Sequence, residues 1–261
     1  TVIQGDIAII GMACIFPKSP DLQTYWQNIV SKVDTIAEIP ADRWSTDSFY
    51  DPDPTAEDRL HCKRGGYLPG SIPFNPLDYG IMPVALNGAE PDQFLHVKLV
   101  YDALADAGHP EQTIDRRRTE VILGKGNYLG AGHANLIQKA VVTEQTLGII
   151  QDLHPEFTDD DLKLIKKELQ SHLRPFNAET ASSLIPNLAT GRVTNRLDFM
   201  GSNYTIDAAC ASSLIATEIG VQNLLTGKSD LSVIGGAHIC NDIPFLTLFS
   251  SLGAVSPRSK I

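Results

Sequence analysis

The residues whose types and spacing could do chemistry surround Cys210, where residues 207–213 read Asp-Ala-Ala-Cys-Ala-Ser-Ser. Residues 204–206 before this stretch predict a strand, and the small and apolar residues 214–225 after it predict a helix that closes at Gly227. At such a junction, unpaired backbone N–H groups and the helix dipole favour a thiolate. The small neighbours allow a sharp turn, as in a nucleophile elbow without its usual Gly-x-Ser-x-Gly spelling. We therefore predict that Cys210 is a nucleophile.

A structural role is the alternative for this cysteine, because a small buried thiol packed among alanines is the commoner fate of an intracellular cysteine. The other cysteines, Cys14, Cys62 and Cys240, lie far apart and form no Cys-x-x-Cys pair. The sequence therefore predicts neither a zinc site nor a redox dithiol. We expect reduced thiols in a cytoplasmic protein, with no metal and no bound cofactor.

The composition is that of a soluble globular protein, with 261 residues of which 43% are hydrophobic and 20% are charged. A formal net charge of −10 argues against nucleic-acid binding, which needs a basic surface. We interpret the basic cluster Arg116, Arg117 and Arg118 as a solvated loop, and a phosphate or carrier-protein contact is its alternative. The N-terminus lacks a signal-peptide pattern, and no stretch reaches the roughly 18 apolar residues of a membrane span.

The elements that must position Cys210 follow from hydrophobic periodicity and turn residues. Residues 7–10 predict a first strand, and Leu22–Val30 predicts an amphipathic helix with Asp21 as its N-cap. Residues 34–87 are rich in Pro, Gly and Asp, which indicates a long ordered excursion over a core. A helix is predicted over residues 91–107, with Gly108 just after it, and a buried strand over residues 121–124. This order predicts a βαβ arrangement with a largely parallel sheet.

The second half of the chain continues this alternation after a helical insertion at about residues 127–180. Within the insertion, residues 158–173 predict a partly exposed helix capped by Thr158 or Asp159. Residues 182–195 predict a further apolar element that ends at Gly191 or at the polar residues after it. Residues 231–237 predict another strand, which ends in glycines.

Several phrases along the chain resemble, in order, the ketosynthase domains of polyketide and fatty-acid synthases. They are IAIIGMACIFP (7–17), YW (25–26), IPADRW (39–44), GGYL (65–68), LADAG (104–108), GRV (191–193), NRLD (195–198) and LGAVSP (252–257). The resemblance implies an α/β protein with the thiolase-like layered αβαβα fold. We expect residues 1–261 to be the N-terminal part of such a domain and therefore an incomplete copy of that fold.

The active-site phrase of this family is Asp-Thr-Ala-Cys-Ser-Ser-Ser, and it maps onto residues 207–213 with Cys210 at the nucleophile position. Ala208 and Ala211 depart from the phrase and look similar to the variant in synthases of polyunsaturated fatty acids and enediyne polyketides. The resemblance implies that Cys210 accepts an acyl group from the phosphopantetheine arm of an acyl carrier protein. A decarboxylated malonyl unit then attacks this group and forms a carbon–carbon bond.

Two family histidines, in His-Gly-Thr-Gly-Thr and Asn-x-Gly-His phrases, assist the decarboxylation, and neither phrase occurs in this sequence. We interpret His133 and His238 as structural or loop histidines. The simplest explanation is that the chain stops about halfway through the domain, and we expect it to be unable to condense alone. The family forms homodimers through the strand before the nucleophile, here residues 204–206.

Two other functions stay open. One is a degenerate domain that only docks carrier proteins or binds an acyl chain, which the missing histidines favour. The other is an acyltransferase or hydrolase that uses the thiolate alone, because acyl transfer needs no decarboxylation. Acylation of Cys210 would separate the enzymes from the docking domain, and malonyl decarboxylation would separate the two enzymes.

Overall fold

A parallel sheet of three strands positions the stretch around Cys210. In this computed structural model, which describes residues 5–41, 43–53, 55–108, 114–126 and 130–256, the central strand lies between the two others and is parallel to both. Ile122 of the central strand lies opposite Tyr204 on one side and Ile234 on the other. The parallel sheet predicted from the sequence is therefore confirmed.

The bounds of the elements are as follows. The strands are β1 (Ala37–Glu38), β2 (Arg64–Gly65), β3 (Thr119–Gly124), β4 (Asn203–Ile206) and β5 (Leu231–Gly236), and the sheet order is β4-β3-β5, with β1 and β2 forming a separate antiparallel pair. The helices are α1 (Leu22–Val30), α2 (Asp92–Asp106), α3 (Ala131–Ile137), α4 (Thr143–Leu153), α5 (Asp159–Ser171), α6 (Ala178–Ser183), α7 (Leu188–Leu197), α8 (Ser212–Leu225) and α9 (Ile243–Ser251).

Helices cover both faces of the sheet. Val121 and Leu123 of β3 point to one face, where they join a buried apolar cluster with side chains of α2 and α7. The opposite face carries α8, whose Ala216 is fully buried and whose Gly220 passes so close to β5 that a Cβ there would lie 2.4 Å from Ile234. Because β3 is covered on both faces, all of its residues are buried.

The strand predicted at residues 7–10 is wrong for the described residues. Residues 5–12 form no strand, and Ile9 is 81% exposed. This segment lies against the C-terminal part of α2 and does not join the sheet. A Cβ at Gly11 would lie 2.2 Å from the Ala103 carbonyl oxygen, and the Met12 N–H donates to Asp106 at 2.9 Å. An extended segment becomes a strand only where a neighbouring strand takes its hydrogen bonds, which the hydrophobic pattern alone does not reveal.

The single element predicted over residues 182–195 is also wrong, because the chain forms two helices there. The first, α6, is capped by Asn177 and Thr180 and ends at Ser183, and the second, α7, begins at Leu188 after Pro186. Proline lacks the N–H that a continuous helix would need. Gly191 does not end α7 but lies inside it and donates to the Asn187 carbonyl.

Other predicted elements are confirmed with small shifts. Asp21 caps α1 by accepting from the Thr24 N–H at 2.7 Å, and Gly108 follows α2 with a φ of 66°. Thr158 and Asp161 form a capping box for α5, which has no buried residue. The helix α9 was not predicted. Among the described residues, no helix has the length and apolar character that crossing a membrane would require.

The basic cluster forms a single turn of 3-10 helix before β3. Arg118 donates twice to Asp230 at 2.6 Å, and Arg117 pairs with Asp115 at 3.3 Å. Arg116 lies 3.7 Å from Asp198. These ion pairs are exposed, which fits the interpretation of the basic cluster as a solvated loop. The pairs with Asp230 and Asp198 connect the turn to the start of β5 and to the end of α7.

Candidate active site

The stretch around Cys210 forms a sharp turn between β4 and α8. Ala208 has φ −129° and ψ 35°, and Ala209 has a φ of +49°, a left-handed conformation that is rare for a residue with a side chain. A 3-10 turn over Ala209–Ala211 then leads into α8. The predicted position of Cys210 between a strand and a helix is therefore confirmed, and the turn is strained at the residue before the thiol.

Hydrogen bonds from Asp207 and Ser212 fix this turn. The Ser212 hydroxyl accepts from the Ala208 N–H at 2.8 Å and donates to the Ala209 carbonyl at 2.7 Å. Asp207 accepts from the Ala209 N–H at 3.0 Å, and the Ala211 N–H donates to the Ala208 carbonyl at 3.1 Å. The Cys210 N–H is not among the donors of these bonds.

Two glycines at the ends of neighbouring strands let the turn approach the sheet. A Cβ at Gly124, the last residue of β3, would lie 2.5 Å from backbone atoms of Ser212 and Ser213. A Cβ at Gly236, the last residue of β5, would lie 2.8 Å from the Cβ of Ser213. The start of α8 therefore rests directly on the carboxyl edge of the sheet, which is where open parallel sheets place their ligands.

Exposure distinguishes Cys210 from the other cysteines. Cys210 is exposed, whereas Cys14, Cys62 and Cys240 are half-buried. Burial, with a smaller contribution from Asp21, raises the pKa of Cys14, and burial raises the pKa of Cys240 to about 11. The Cys62 thiol donates to the Arg64 carbonyl at 3.4 Å. Among the four thiols, Cys210 is the one most open to a substrate.

The two histidines singled out from the sequence lie near the carboxyl edge of the sheet. His238 follows β5, and its Nε2 lies 3.0 Å from the amide oxygen of Asn241, whose NH₂ donates to the Gly66 carbonyl. The bond from Asn241 to Gly66 connects the loop after β5 to the loop after β2. The contact of His238 with Asn241 therefore supports a structural role for His238. His133 belongs to α3 and lines a small cavity. The described residues contain no cluster of His, Cys, Asp and Glu fit for a metal ion.

That small cavity, of about 30 Å³, contains charged residues that the sequence analysis missed. Lys125 follows β3 directly and pairs with Asp92, the first residue of α2. Their side chains are 12% and 5% exposed. Glu90 and Cys240 also line the cavity. One feature of the sequence could have indicated this ion pair, namely a lysine immediately after a buried strand. A lysine in that position needs a charged partner at the edge of the sheet.

A second cavity, of about 320 Å³, lies along α7 and is more open. Its walls are Ile81, Leu188, Gly191, Arg192, Asn195 and Arg196. Cys210 is not among these residues, so cavity volume alone does not indicate the reactive centre. The small cavity and the Cys210 turn instead share the carboxyl edge of the sheet.

Comparison with known proteins adds an independent finding. The family model described as "Beta-ketoacyl synthase, N-terminal domain" matches residues 4–261. The chain is 28% identical over 256 residues to a polyunsaturated fatty acid synthase of Thraustochytrium sp., covering 98% of this chain and 9% of that protein. It is also 28% identical over 255 residues to polyketide synthase PksN of Bacillus subtilis, covering 97% of this chain and 4% of that protein.

Solved structures agree with these relatives. An oxazolomycin ketosynthase domain of Streptomyces albus JA3453, OzmH KS7, aligns with a TM-score of 0.73 and 25% identity, over 95% of this chain and 38% of that one. The ketosynthase from module 6 of the bacillaene synthase of Bacillus subtilis 168 aligns with a TM-score of 0.70 and 23% identity, over 96% of this chain and 35% of that one. The chain thus spans well under half the length of the proteins it matches.

Proposed function

Because this chain belongs to the β-ketoacyl synthase family through its N-terminal domain, we propose that Cys210 accepts an acyl group as a thioester in a condensing enzyme. The observation that carries the proposal is the exposed thiol on a strained turn at the start of α8. The thiolase-like fold of the aligned ketosynthases and the parallel sheet of this chain agree with it.

The acyl transfer exchanges one thioester for another. The Cys210 sulfur bonds to the carbonyl carbon of an acyl thioester, and the carbonyl becomes a tetrahedral oxyanion. When this intermediate collapses, the carbon–sulfur bond to the carrier breaks, and the carrier thiol leaves with the proton that Cys210 gave up. Splitting a difficult condensation into acylation and attack is ordinary covalent catalysis.

The turn offers a donor for that oxyanion. The N–H of Cys210 is not used by the bonds that fix the turn, and it lies just before α8, where the helix dipole favours negative charge. We assign this N–H as one oxyanion-hole donor, because backbone donors fixed in advance stabilise developing charge most effectively. Ser212 contributes indirectly, because its hydroxyl holds the Ala208 N–H and the Ala209 carbonyl just before Cys210.

The second step needs groups that this sequence does not contain. In the proposed reaction, a malonyl thioester loses carbon dioxide, and the resulting carbanion attacks the acyl group on Cys210. The two histidine phrases that assist this step in the family are absent from residues 1–261. We propose that residues 1–261, including the insertion at about 127–180, act as the N-terminal part of a ketosynthase domain. This part accepts the acyl group, and condensation requires further residues.

The substrate is proposed to be an acyl group on the phosphopantetheine arm of an acyl carrier protein. This follows from the relatives, which are a polyunsaturated fatty acid synthase and polyketide synthases. A homodimer of the complete domain is proposed on the same basis, with β4 at the interface because it is an edge strand of the sheet.

Intact-mass spectrometry after incubation with an acyl-pantetheine thioester tests the proposal. We expect one acyl adduct on the wild-type chain, none on Cys210→Ala, and an undiminished adduct on the matched control Cys240→Ala. Equal labelling of wild type and Cys210→Ala would refute the assignment.

The missing histidines favour a second candidate, a domain that docks carrier proteins without condensing. A folded wild-type chain that forms no adduct but binds a carrier protein would support that candidate. An adduct that water or another thiol removes, without release of carbon dioxide from malonyl thioester, would instead support a cysteine-dependent acyltransferase.

A further inference from the structure

The open cleft along α7, with a volume of about 320 Å³, is built on one face of that helix. Its helical wall consists of Leu188, Gly191, Arg192, Asn195 and Arg196. These residues recur at spacings of three and four, which places them side by side on the helix surface. The buried Ile81 supplies the other wall. The cleft is therefore a continuous groove with an apolar end at Leu188 and a cationic end at Arg196.

The cationic end of the cleft lies far from the Cys210 turn. After α7 the chain passes the start of the sheet, where the Gly201 N–H donates to the carbonyl of Thr119, the first residue of β3, at 3.0 Å. The strand β4 then begins at Asn203, and Cys210 follows its opposite, carboxyl end. The Arg196 end of the cleft thus belongs to the amino edge of the sheet. The cleft is a site separate from the proposed acyl-accepting centre.

Arg192 gives the cleft a fixed wall without a net charge. Its Nη2 donates to Glu179 at 2.6 Å and to the Ser182 hydroxyl at 3.2 Å, and its Nε donates to Gln93 at 3.2 Å. Its guanidinium group also lies 5.1 Å from the centroid of the Phe94 ring. The carboxylate of Glu179 balances the charge of Arg192, so this arginine shapes the cleft and attracts no further anion strongly.

Arg196 differs, because it makes no hydrogen bond or ion pair with any described residue. Its guanidinium group reaches the opposite wall, since a Cβ at Gly80, next to Ile81, would lie 3.7 Å from its Nη1. None of the residues that line the cleft is acidic. The cleft therefore presents one uncompensated positive charge on a chain whose formal net charge is −10. A carboxylate matches the planar fork of such an arginine.

Gly191 gives a second, independent reason to expect an occupant. Glycine inside a helix is destabilising relative to alanine, so it usually has a reason in the backbone or in the packing. Gly191 has no positive φ, and a Cβ there would meet only Leu188 among the described residues, at an ordinary distance of 3.9 Å. The packing of the chain thus leaves room for a side chain in the middle of the cleft. A ligand that lies against the bare helix backbone accounts for the glycine.

The dimensions and charges of the cleft restrict the ligand. A helix rises about 1.5 Å per residue, so Leu188 and Arg196 are about 12 Å apart along the axis. Leu188 and Ile81 provide apolar contacts for a hydrocarbon chain over part of this length. Glu179 lies beside Arg192 and opposes a second negative charge. The cleft fits a single negative charge joined to a short apolar body.

We propose that the cleft along α7 is a binding site for a small organic monocarboxylate. The carboxylate accepts hydrogen bonds from Arg196, and the apolar chain lies over Gly191 towards Leu188. This site does not depend on the chemistry of Cys210, so the failure of either proposal leaves the other standing.

Calorimetric titration of the wild-type chain tests the site with hexanoate as the probe. Hexanol has the same chain without the charge, and acetate has the charge without the chain. We expect hexanoate to bind about tenfold tighter than either, because each comparison removes one of the two kinds of contact. Affinity for hexanoate equal to that for hexanol or to that for acetate would overturn the proposal.

Arg196→Gln locates the carboxylate. This variant should bind hexanoate about tenfold more weakly than the wild type, as a charge-assisted hydrogen bond is lost. The matched control is Arg117→Gln, at an exposed arginine that pairs with Asp115 before β3, and its affinity should equal that of the wild type. Circular dichroism shows that both variants are folded. Unchanged affinity in Arg196→Gln would overturn the assignment.

Gly191→Leu locates the apolar chain, because the new side chain occupies the cleft. We expect hexanoate binding to be lost while the urea midpoint of unfolding stays equal or rises, since leucine is the better helix former. The matched control is Gly148→Leu, at an exposed glycine of α4 whose Cβ would meet nothing within 4 Å. The control should keep its affinity for hexanoate. Binding that survives in Gly191→Leu would overturn the site, and if this variant does not fold, Arg196→Gln decides.

Discussion

Strain in the Cys210 turn is concentrated in Ala209. Its φ of +49° places a Cβ in a region that costs roughly 1–2 kcal/mol for an L-residue. Asp207 and Ser212 hold it there through hydrogen bonds to its N–H and its carbonyl. Strained residues held by their surroundings are common at functional sites, and this one directly precedes the exposed Cys210.

Glycine substitutions at neighbouring positions test this account of the strain. Glycine adopts positive φ without steric cost, so Ala209→Gly should raise the free energy of unfolding by about 0–1 kcal/mol, despite the entropy that glycine adds to the unfolded chain. Ala208→Gly, at a φ of −129°, should instead lower it by roughly 0.5–1 kcal/mol. Urea unfolding measures both values, and equal losses in the two variants would show that the turn is not strained.

At the residue scale, the sequence indicated the position of Cys210 between a strand and a helix, but it did not indicate the contacts around that position. Cys210 was predicted because small residues surround it between a strand and a helix. The positive φ of Ala209 was not predictable, since alanine carries no signal for it. Asp92 and Lys125 are 33 residues apart, so only the fold brings them together.

A buried carboxylate connects the elements on the α8 face of the sheet. Glu120 of β3 is 1% exposed and accepts from Asn223 of α8 at 2.8 Å, and from Ser229 and Ser232 at 2.9 Å each. Because a buried charge must be satisfied, these donors fix how α8 and β5 pack against β3. Glu120 therefore fixes the C-terminal end of α8, at Asn223, against the sheet.

Removing this carboxylate should destabilise the protein strongly. Glu120→Ala leaves Asn223 and Ser229 buried without their acceptor and should lower the free energy of unfolding by about 3–5 kcal/mol. Glu144→Ala, at an exposed ion pair with Lys166, is the control and should cost about 0–1 kcal/mol. Urea unfolding compares the two variants. Similar small losses in both would contradict the structural role of Glu120.

The sequence predicted those helices and strands whose residue pattern and caps lie within the element itself. It did not predict elements whose formation depends on pairing or packing with distant parts of the chain. The strands β3 and β5 and the helices α1, α2, α5 and α8 follow from periodicity and caps. Residues 7–10 carry a strand pattern but find no strand to pair with among the described residues. Pro186 divides an apolar stretch whose pattern predicted one element.

At the scale of the whole molecule, apolar side chains remain exposed on α1. This helix has no buried residue, and Trp26 is 62% exposed. Its amphipathic pattern was predicted correctly, but such a pattern shows that a face is apolar without showing what covers it. The chain spans 38% of an aligned ketosynthase structure.

The stability of the whole protein should depend on pH through His96. Burial lowers the pKa of this histidine from 6.5 to about 4, so the unfolded chain binds a proton that the folded chain rejects. The free energy of unfolding should therefore fall as the pH decreases from 6.5 to 4, by an amount on the order of 3 kcal/mol.

Urea unfolding across this pH range checks the effect. His96→Leu should show a shallower decline than the wild type. His172→Leu, at an exposed position beside Glu168, should match the wild-type slope. An unchanged slope in His96→Leu would mean that other groups cause the acid sensitivity.

The most direct test of the acyl-accepting role is to locate the acyl group on the chain. The wild-type protein is incubated with an acyl-pantetheine thioester and digested at acidic pH, and tandem mass spectrometry assigns the added mass to a residue. We predict that the acyl group is found on Cys210. Its presence on Cys14, Cys62, Cys240 or a serine, or its absence from a folded sample, would contradict the assignment of Cys210 as the acyl acceptor.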